Sequence, residues 1–192
     1  MQHQTGVRKM RFSRAIIAVV VCIMLVSLAA PAQKRKGPAA KPGKPPAVVS
    51  PIDTEALKNL LTQQRQRPLL VNFWATFCDP CRDEFPDLVK IDKDYRPQAL
   101  EFVTVSLDDM SDIKTEVPKF LDAMNATMPA YLLNVSDPEP AINAVDPKWH
   151  GDLPATFLYN EKGEVVYKHF GRVNTAELRE AIEKVVKKGD KS

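Results

Sequence analysis

The sequence predicts a single α/β domain whose central mixed sheet is covered by helices on both faces. Strand and helix signals alternate after residue 52, the pattern of a layered sheet with helical connections. The run Leu69-Leu70-Val71-Asn72-Phe73-Trp74 is almost wholly apolar, as expected of a strand buried on both faces. Two later strands, 155–159 and 164–170, are joined by Asn160-Glu161-Lys162-Gly163, a hairpin that is antiparallel and makes the sheet mixed. With 192 residues, 44% hydrophobic and 27% charged, the chain can bury one core and carry appendages. Two large domains, a disordered tail and a polytopic membrane protein are excluded.

The first appendage is N-terminal. Arg8, Lys9, Arg11 and Arg14 precede an uncharged apolar run over residues 15–30, which matches the charged and apolar regions of a secretory signal. That run is shorter than the ~20 residues of a membrane span. Ala30-Pro31-Ala32 fits a small-x-small cleavage site, so residues 1–32 read as a signal peptide or, uncleaved, as a membrane anchor through residues 15–30. Lys34, Arg35, Lys36, Lys41 and Lys44 follow closely and blunt the charge asymmetry that orients such segments. Cys22, inside the apolar run and without a lipoprotein box, reads as filler. Residues 31–51 contain six of the sixteen prolines, and 33–51 read as an extended linker to a domain spanning 52–192.

Within the domain, Asp53 caps a predicted helix to about residue 66, with Ala56, Leu57, Leu60 and Leu61 on one face. The apolar strand 69–74 follows, then a helix over 78–95 with Pro86 inside it. Residues 100–107 read as the second long strand. A helical stretch interrupted by Pro118, a short strand at 130–133 and a Pro-rich segment lead to the hairpin. The last helix opens with the capping box Asn174-x-x-Glu177 and buries Leu178, Ile182 and Val185.

The formal net charge of +3 is unevenly spread. Residues 1–47 hold nine Lys/Arg and no acid, which leaves 18 Lys/Arg against 24 Asp/Glu in residues 48–192. The foldable part is acidic, offers no basic face to nucleic acid, and is compatible with basic partners.

Chemistry concentrates at Cys78-Asp79-Pro80-Cys81, directly after the buried strand and at the start of a helix. Unpaired N–H groups and the positive end of the helix dipole stabilise a thiolate on the first cysteine there, and two intervening residues let the second sulfur reach it. Cys78 would attack a disulfide and Cys81 would resolve the mixed disulfide. Half a zinc site is the competing reading, but no second Cys-x-x-Cys exists and His150 and His169 lack ligand spacing. No metal or other cofactor is expected beyond the redox-active disulfide. Asp79, between the sulfurs, opposes thiolate formation and favours the disulfide, which makes the dithiol a better reductant. Trp149 and His150 precede a proline loop and are placed to line a substrate groove, with Trp149 half-buried.

The segment Phe73-Trp74-Ala75-Thr76-Phe77-Cys78-Asp79-Pro80-Cys81-Arg82-Asp83-Glu84-Phe85-Pro86 resembles the active-site segment of the thioredoxin superfamily, and in particular its extracytoplasmic TlpA/ResA-like branch. The resemblance runs from about residue 52 to residue 188 and implies a thioredoxin-like three-layer sandwich. An acidic residue and Pro80 between the cysteines and Glu84-Phe85-Pro86 after them are typical of that branch. Phe77 stands where the family usually has Trp, which keeps the bulk but loses an indole N–H. Leu153-Pro154-Ala155-Thr156-Phe157 resembles the family's cis-proline loop, which implies that Pro154 is cis and that Leu153 presents its backbone to an extended substrate. Glu84, three residues beyond Cys81 on one helix face, resembles the glutamate credited with taking the Cys81 proton. It is expected near the surface, with its pKa raised by burial against Trp74 and by Asp79.

These readings converge on an exported, periplasmic or extracytoplasmic thiol–disulfide oxidoreductase that reduces protein disulfides. The resemblance suggests apocytochrome c cysteines or other protein disulfides as substrates and a membrane thiol–disulfide electron donor as partner. A thiol peroxidase is the alternative within enzymes, although only Thr76-Phe77-Cys78 echoes the Pro-x-x-x-Thr-x-x-Cys pattern of such sites. A thioredoxin-like module that binds metal or docks partners without catalysis is the alternative of another class.

Overall fold

A computed structural model describes residues 47–189, with side chains described to residue 186. The signal or anchor segment and most of the expected linker lie outside the described residues. Among the described residues the six strands are β1 (Val49–Ile52), β2 (Leu69–Trp74), β3 (Glu101–Ser106), β4 (Ala130–Leu133), β5 (Ala155–Tyr159) and β6 (Val165–Phe170). The five α-helices of the described residues are α1 (Thr54–Thr62), α2 (Asp79–Tyr95), α3 (Glu116–Ala123), α4 (Glu139–Val145) and α5 (Thr175–Gly189). The strands lie in the order β1-β4-β3-β2-β5-β6. β1, β4, β3 and β2 run parallel, β5 runs antiparallel to β2, and β6 runs antiparallel to β5.

The period-2 alternation of β2 decides how the layers form. Leu70 and Trp74 point into a core built with Phe85, Leu88 and Ile91 of α2, Phe120 of α3, and Leu178 and Ile182 of α5. Leu69, Val71 and Phe73 point into a second core with Leu57 and Leu61 of α1, Ala141 and Val145 of α4, and Phe157 of β5. Each fully buried aliphatic or aromatic side chain stabilises the fold by roughly 1.5–3 kcal/mol, so both faces of this one strand hold the sandwich together. The mixed, doubly covered sheet matches the sequence expectation.

Four local expectations change. Val49, Ser50 and Pro51, assigned to the linker, pair with Ala130, Tyr131 and Leu132 as strand β1. Pro51 is tolerated because β1 is an edge strand with one neighbour. Helix α1 stops at Thr62 rather than about residue 66, and Arg65 N–H instead bonds to Glu161 O at 2.9 Å in the β5–β6 turn. Pro118 does not interrupt a helix. It occupies the first turn of α3, where its missing N–H costs nothing, after a short 3-10 turn at Met110–Lys114. The Pro-rich segment after β4 contains α4, with Pro138 as its N-cap and Pro140 in its first turn.

Candidate active site

Strand register places the site. Trp74 of β2 pairs with Ser106 of β3, and Phe73 pairs with Ala155 of β5. The loop leaving β2, the residues just after β3 and the residues just before β5 therefore meet at one end of the central strands. The loop leaving β2 carries Thr76, Phe77 and Cys78 into α2, and the one entering β5 carries Leu153 and Pro154. The Leu153–Pro154 peptide is cis.

Cys78 and Cys81 form a disulfide. Cys78 is the N-cap of α2 and its Sγ accepts a hydrogen bond from Cys81 N–H at 3.2 Å. Cys78 is 8% exposed and Cys81 is 0% exposed. Cys78 is thus the more exposed of the two residues and stands at the positive end of a helix dipole, where a thiolate is stabilised.

A cavity of about 960 Å3 opens beside Cys78 and is lined by Phe77, Asp79, Pro80, His150 and Leu153 among others. Its floor is apolar, with Leu107, Leu133 and Ile142. Asp108, Asp109 and Asp152 join Asp79 around it, and none of its described lining residues is Lys or Arg. Phe77 is 74% exposed at its margin. Pro154 is buried directly behind Leu153.

Two sequence expectations about the site are corrected. Trp149 is buried rather than half-buried and lies under the loop instead of lining the large cavity. Its ring packs 4.7 Å from Phe73, and its Nε1–H donates to Asp152 O at 2.8 Å, so it props the proline loop from below. Glu84 is not near the surface. It is 1% exposed, its Oε1 accepts from Asn72 Nδ2 at 3.0 Å, and its Oε2 accepts from Val173 N–H at 2.8 Å. Burial raises the Glu84 pKa, and the two hydrogen bonds and the Arg172 charge act the other way. Asp79, expected to contribute, is not among the groups that act on it.

Trp74 is fully buried in the core that also contains both cysteines. Its ring stacks on Phe120 at 4.5 Å and meets Phe85 edge-on at 5.0 Å.

Three polar residues escaped the sequence reading. Asn72, in the middle of β2, donates from Nδ2 to both Glu84 and Thr156 Oγ1, at 3.0 and 3.1 Å. It thus joins the dithiol helix to the strand after the cis-proline. Thr156 is its antiparallel partner. Asp108 accepts hydrogen bonds from Thr76, two residues before Cys78. An asparagine interrupting an apolar run and an aspartate just past the neighbouring strand are the signals that could have found Asn72 and Asp108. Among the described residues, no group of three or more His, Cys, Asp and Glu is arranged to hold a metal ion.

Residues 47–168 match the AhpC/TSA family. The chain is 26% identical over 136 residues to the thiol-disulfide oxidoreductase ResA of Halalkalibacterium halodurans, covering 71% of each chain. It is 27% identical over 140 residues to the thiol-disulfide oxidoreductase ResA of Bacillus subtilis, covering 73% of each. The crystal structure of a thiol:disulfide interchange protein of the thioredoxin family from Chlorobium tepidum superposes with a TM-score of 0.53. That match covers 77% of this chain and 99% of the other at 22% identity, a likeness of fold.

Proposed function

The chain belongs to the AhpC/TSA family and is a thiol–disulfide oxidoreductase, and from that premise we propose that it works outside the cytoplasm as a reductant of protein disulfides. The observation that carries this reading is the Cys78–Cys81 disulfide at the N-terminus of α2, with a cis-proline loop and an apolar-floored cavity beside it.

The reaction is a thiol–disulfide exchange in two steps. The Cys78 thiolate attacks one sulfur of a target disulfide; the S–S bond breaks, and the displaced sulfur leaves as a thiolate that takes a proton. Leu153 offers its backbone to the target segment in an extended pairing. Cys81, its proton passed to Glu84, then attacks Cys78 Sγ and releases the second target thiol. Two electrons have moved to the target, and the protein is left as the disulfide. A membrane thiol–disulfide electron donor restores the dithiol. Oxidised apocytochrome c cysteines are the substrate class this reading favours, and export rests on the charged and apolar pattern of residues 1–32.

Replacing the resolving thiol tests the mechanism. Cys81→Ser traps disulfide-linked targets through Cys78, because the intramolecular step is lost. Non-reducing gels after pull-down read the adducts. Adducts with Cys78→Ser but not with Cys81→Ser would reverse the two assignments, and adducts with neither would return the chain to the class of binding modules.

A further inference from the structure

Four residues, 75–78, carry the chain from β2 into α2 and so determine where the Cys78 sulfur stands. Within this loop the Cys78 N–H bonds to Ala75 O at 3.2 Å. The remaining anchors come from outside it, and most of them end on one residue. Asp108 Oδ1 and Oδ2 accept from Thr76 N–H at 3.1 and 3.0 Å, and Oδ1 also accepts from Thr76 Oγ1 at 2.6 Å. Ser106 Oγ donates to Asp108 Oδ2 at 2.5 Å and accepts from Asp108 N–H at 3.0 Å, so the carboxylate is itself held at the end of β3. Arg82 Nη1 closes the other side by donating to Thr76 O at 3.1 Å. Asp108 is 6% exposed, yet it lines the same cavity as Cys78.

We propose that Asp108 is a positioning residue for the redox step: through Thr76 it fixes the loop that aims Cys78, and it places a carboxylate residue in the lining of the cavity in which the Cys78 thiolate forms. This inference rests on Cys78 being the attacking thiol. Two separable consequences follow. Thiol–disulfide exchange needs the attacking sulfur aligned with the bond it breaks, and a displacement of about 1 Å in such a group costs up to about 10²-fold in rate. Asp108 shares the cavity around Cys78 with Asp79, Asp109, Asp152 and His150, and Arg82 bonds to Thr76 O in the same loop; taking one carboxylate out of that set weakens the opposition to thiolate formation, so Cys78 reactivity shifts to lower pH.

The test uses reduced wild type, Asp108→Ala, Asp108→Asn and Thr76→Val. Two quantities are read: the single-turnover rate with the uncharged disulfide 4,4′-dithiodipyridine, and the pH profile of Cys78 alkylation by iodoacetamide. Asp108→Ala is expected to slow exchange by about 10- to 100-fold and to move the alkylation profile to lower pH. Asp108→Asn keeps an oxygen for the Thr76 N–H; it recovers most of the rate while retaining the displaced profile. Thr76→Val loses only the hydroxyl bond, so its rate falls less and its profile stays where the wild type's is. Wild-type rates and profiles in both Asp108 variants would overturn the proposal. So would equal slowing in both with an unmoved profile, which is the mark of a merely structural residue. Should Asp108→Ala fail to fold, the Asn and Val variants still decide the outcome. A wild type that reduces no disulfide at all would instead remove the redox reading itself.

Discussion

Glu84 shows how one buried side chain couples stability to chemistry. Its pKa is raised because burial disfavours the carboxylate more than Asn72, Val173 and Arg172 favour it. A carboxyl raised in the folded state contributes stability that is present below its unfolded pKa and is lost as pH rises through its folded pKa. Unfolding followed by urea titration across pH should therefore show wild-type stability falling through that window. Glu84→Gln, which cannot ionise, should not show this fall and should be the more stable protein on the alkaline side. The same variant should slow resolution by Cys81, because a positioned proton acceptor contributes typically ~10²- to 10⁴-fold. Parallel stability curves for the two proteins would mean that Glu84 does not titrate in that range. The helix-face spacing from Cys81 made Glu84 legible in the sequence, but its depth was not. Arg82, Asp83 and Asp87 around it are surface residues in composition, and only the arrival of Asn72 and Val173 from distant parts of the chain buries it.

At the level of elements, legibility follows how local the cause is. Asp53 accepting from Ala56 N–H at 2.8 Å and Asn174 accepting from Ala176 N–H at 3.0 Å are caps within a few residues, and both helix starts were readable. The Asn160–Gly163 turn was readable for the same reason. Strand β1 and helix α4 were not: each is short, each contains proline, and each is held by partners far along the chain. The turn supports a further prediction, because Gly163 has a φ of +78 and a Cβ there would stand 2.5 Å from Thr62 O at the end of α1. Gly163→Ala meets both left-handed backbone strain and a clash with backbone that cannot rotate away. It should cost about 1–3 kcal/mol, read as a lowered denaturant midpoint, while alkylation of Cys78 at the opposite end of β5 remains at the wild-type rate. An unchanged midpoint would show that the α1 end yields freely. By contrast, Gly171→Ala meets no atom within 4 Å and bears the φ strain alone, at +86.

The whole molecule adds a charge argument that no single residue supplies. The acidic balance of residues 48–192 was legible from counting; its concentration around the dithiol was not, because Asp79 at the start of α2 and Asp108, Asp109 and Asp152 in two separate loops are brought together only by the sheet order. The cavity they surround has an apolar floor, so the field of its carboxylates acts over low-dielectric walls, where it is focused rather than dispersed. A target segment entering beside Leu153 must bring its charges into that field. Disulfide-bonded peptides with Lys flanking the cystine should therefore be reduced faster, by about tenfold at low salt, than the same peptides with Glu there. The gap should narrow as the Debye length falls from ~30 Å at 0.01 M to ~8 Å at 0.15 M salt. Asp109→Asn combined with Asp152→Asn should narrow it at constant salt, since both side chains are exposed around the cavity. The measurement is kcat/KM for each peptide across ionic strength. Equal rates at every salt concentration would mean that the carboxylates act on the cysteines alone and leave the choice of target to the apolar floor and the backbone of Leu153.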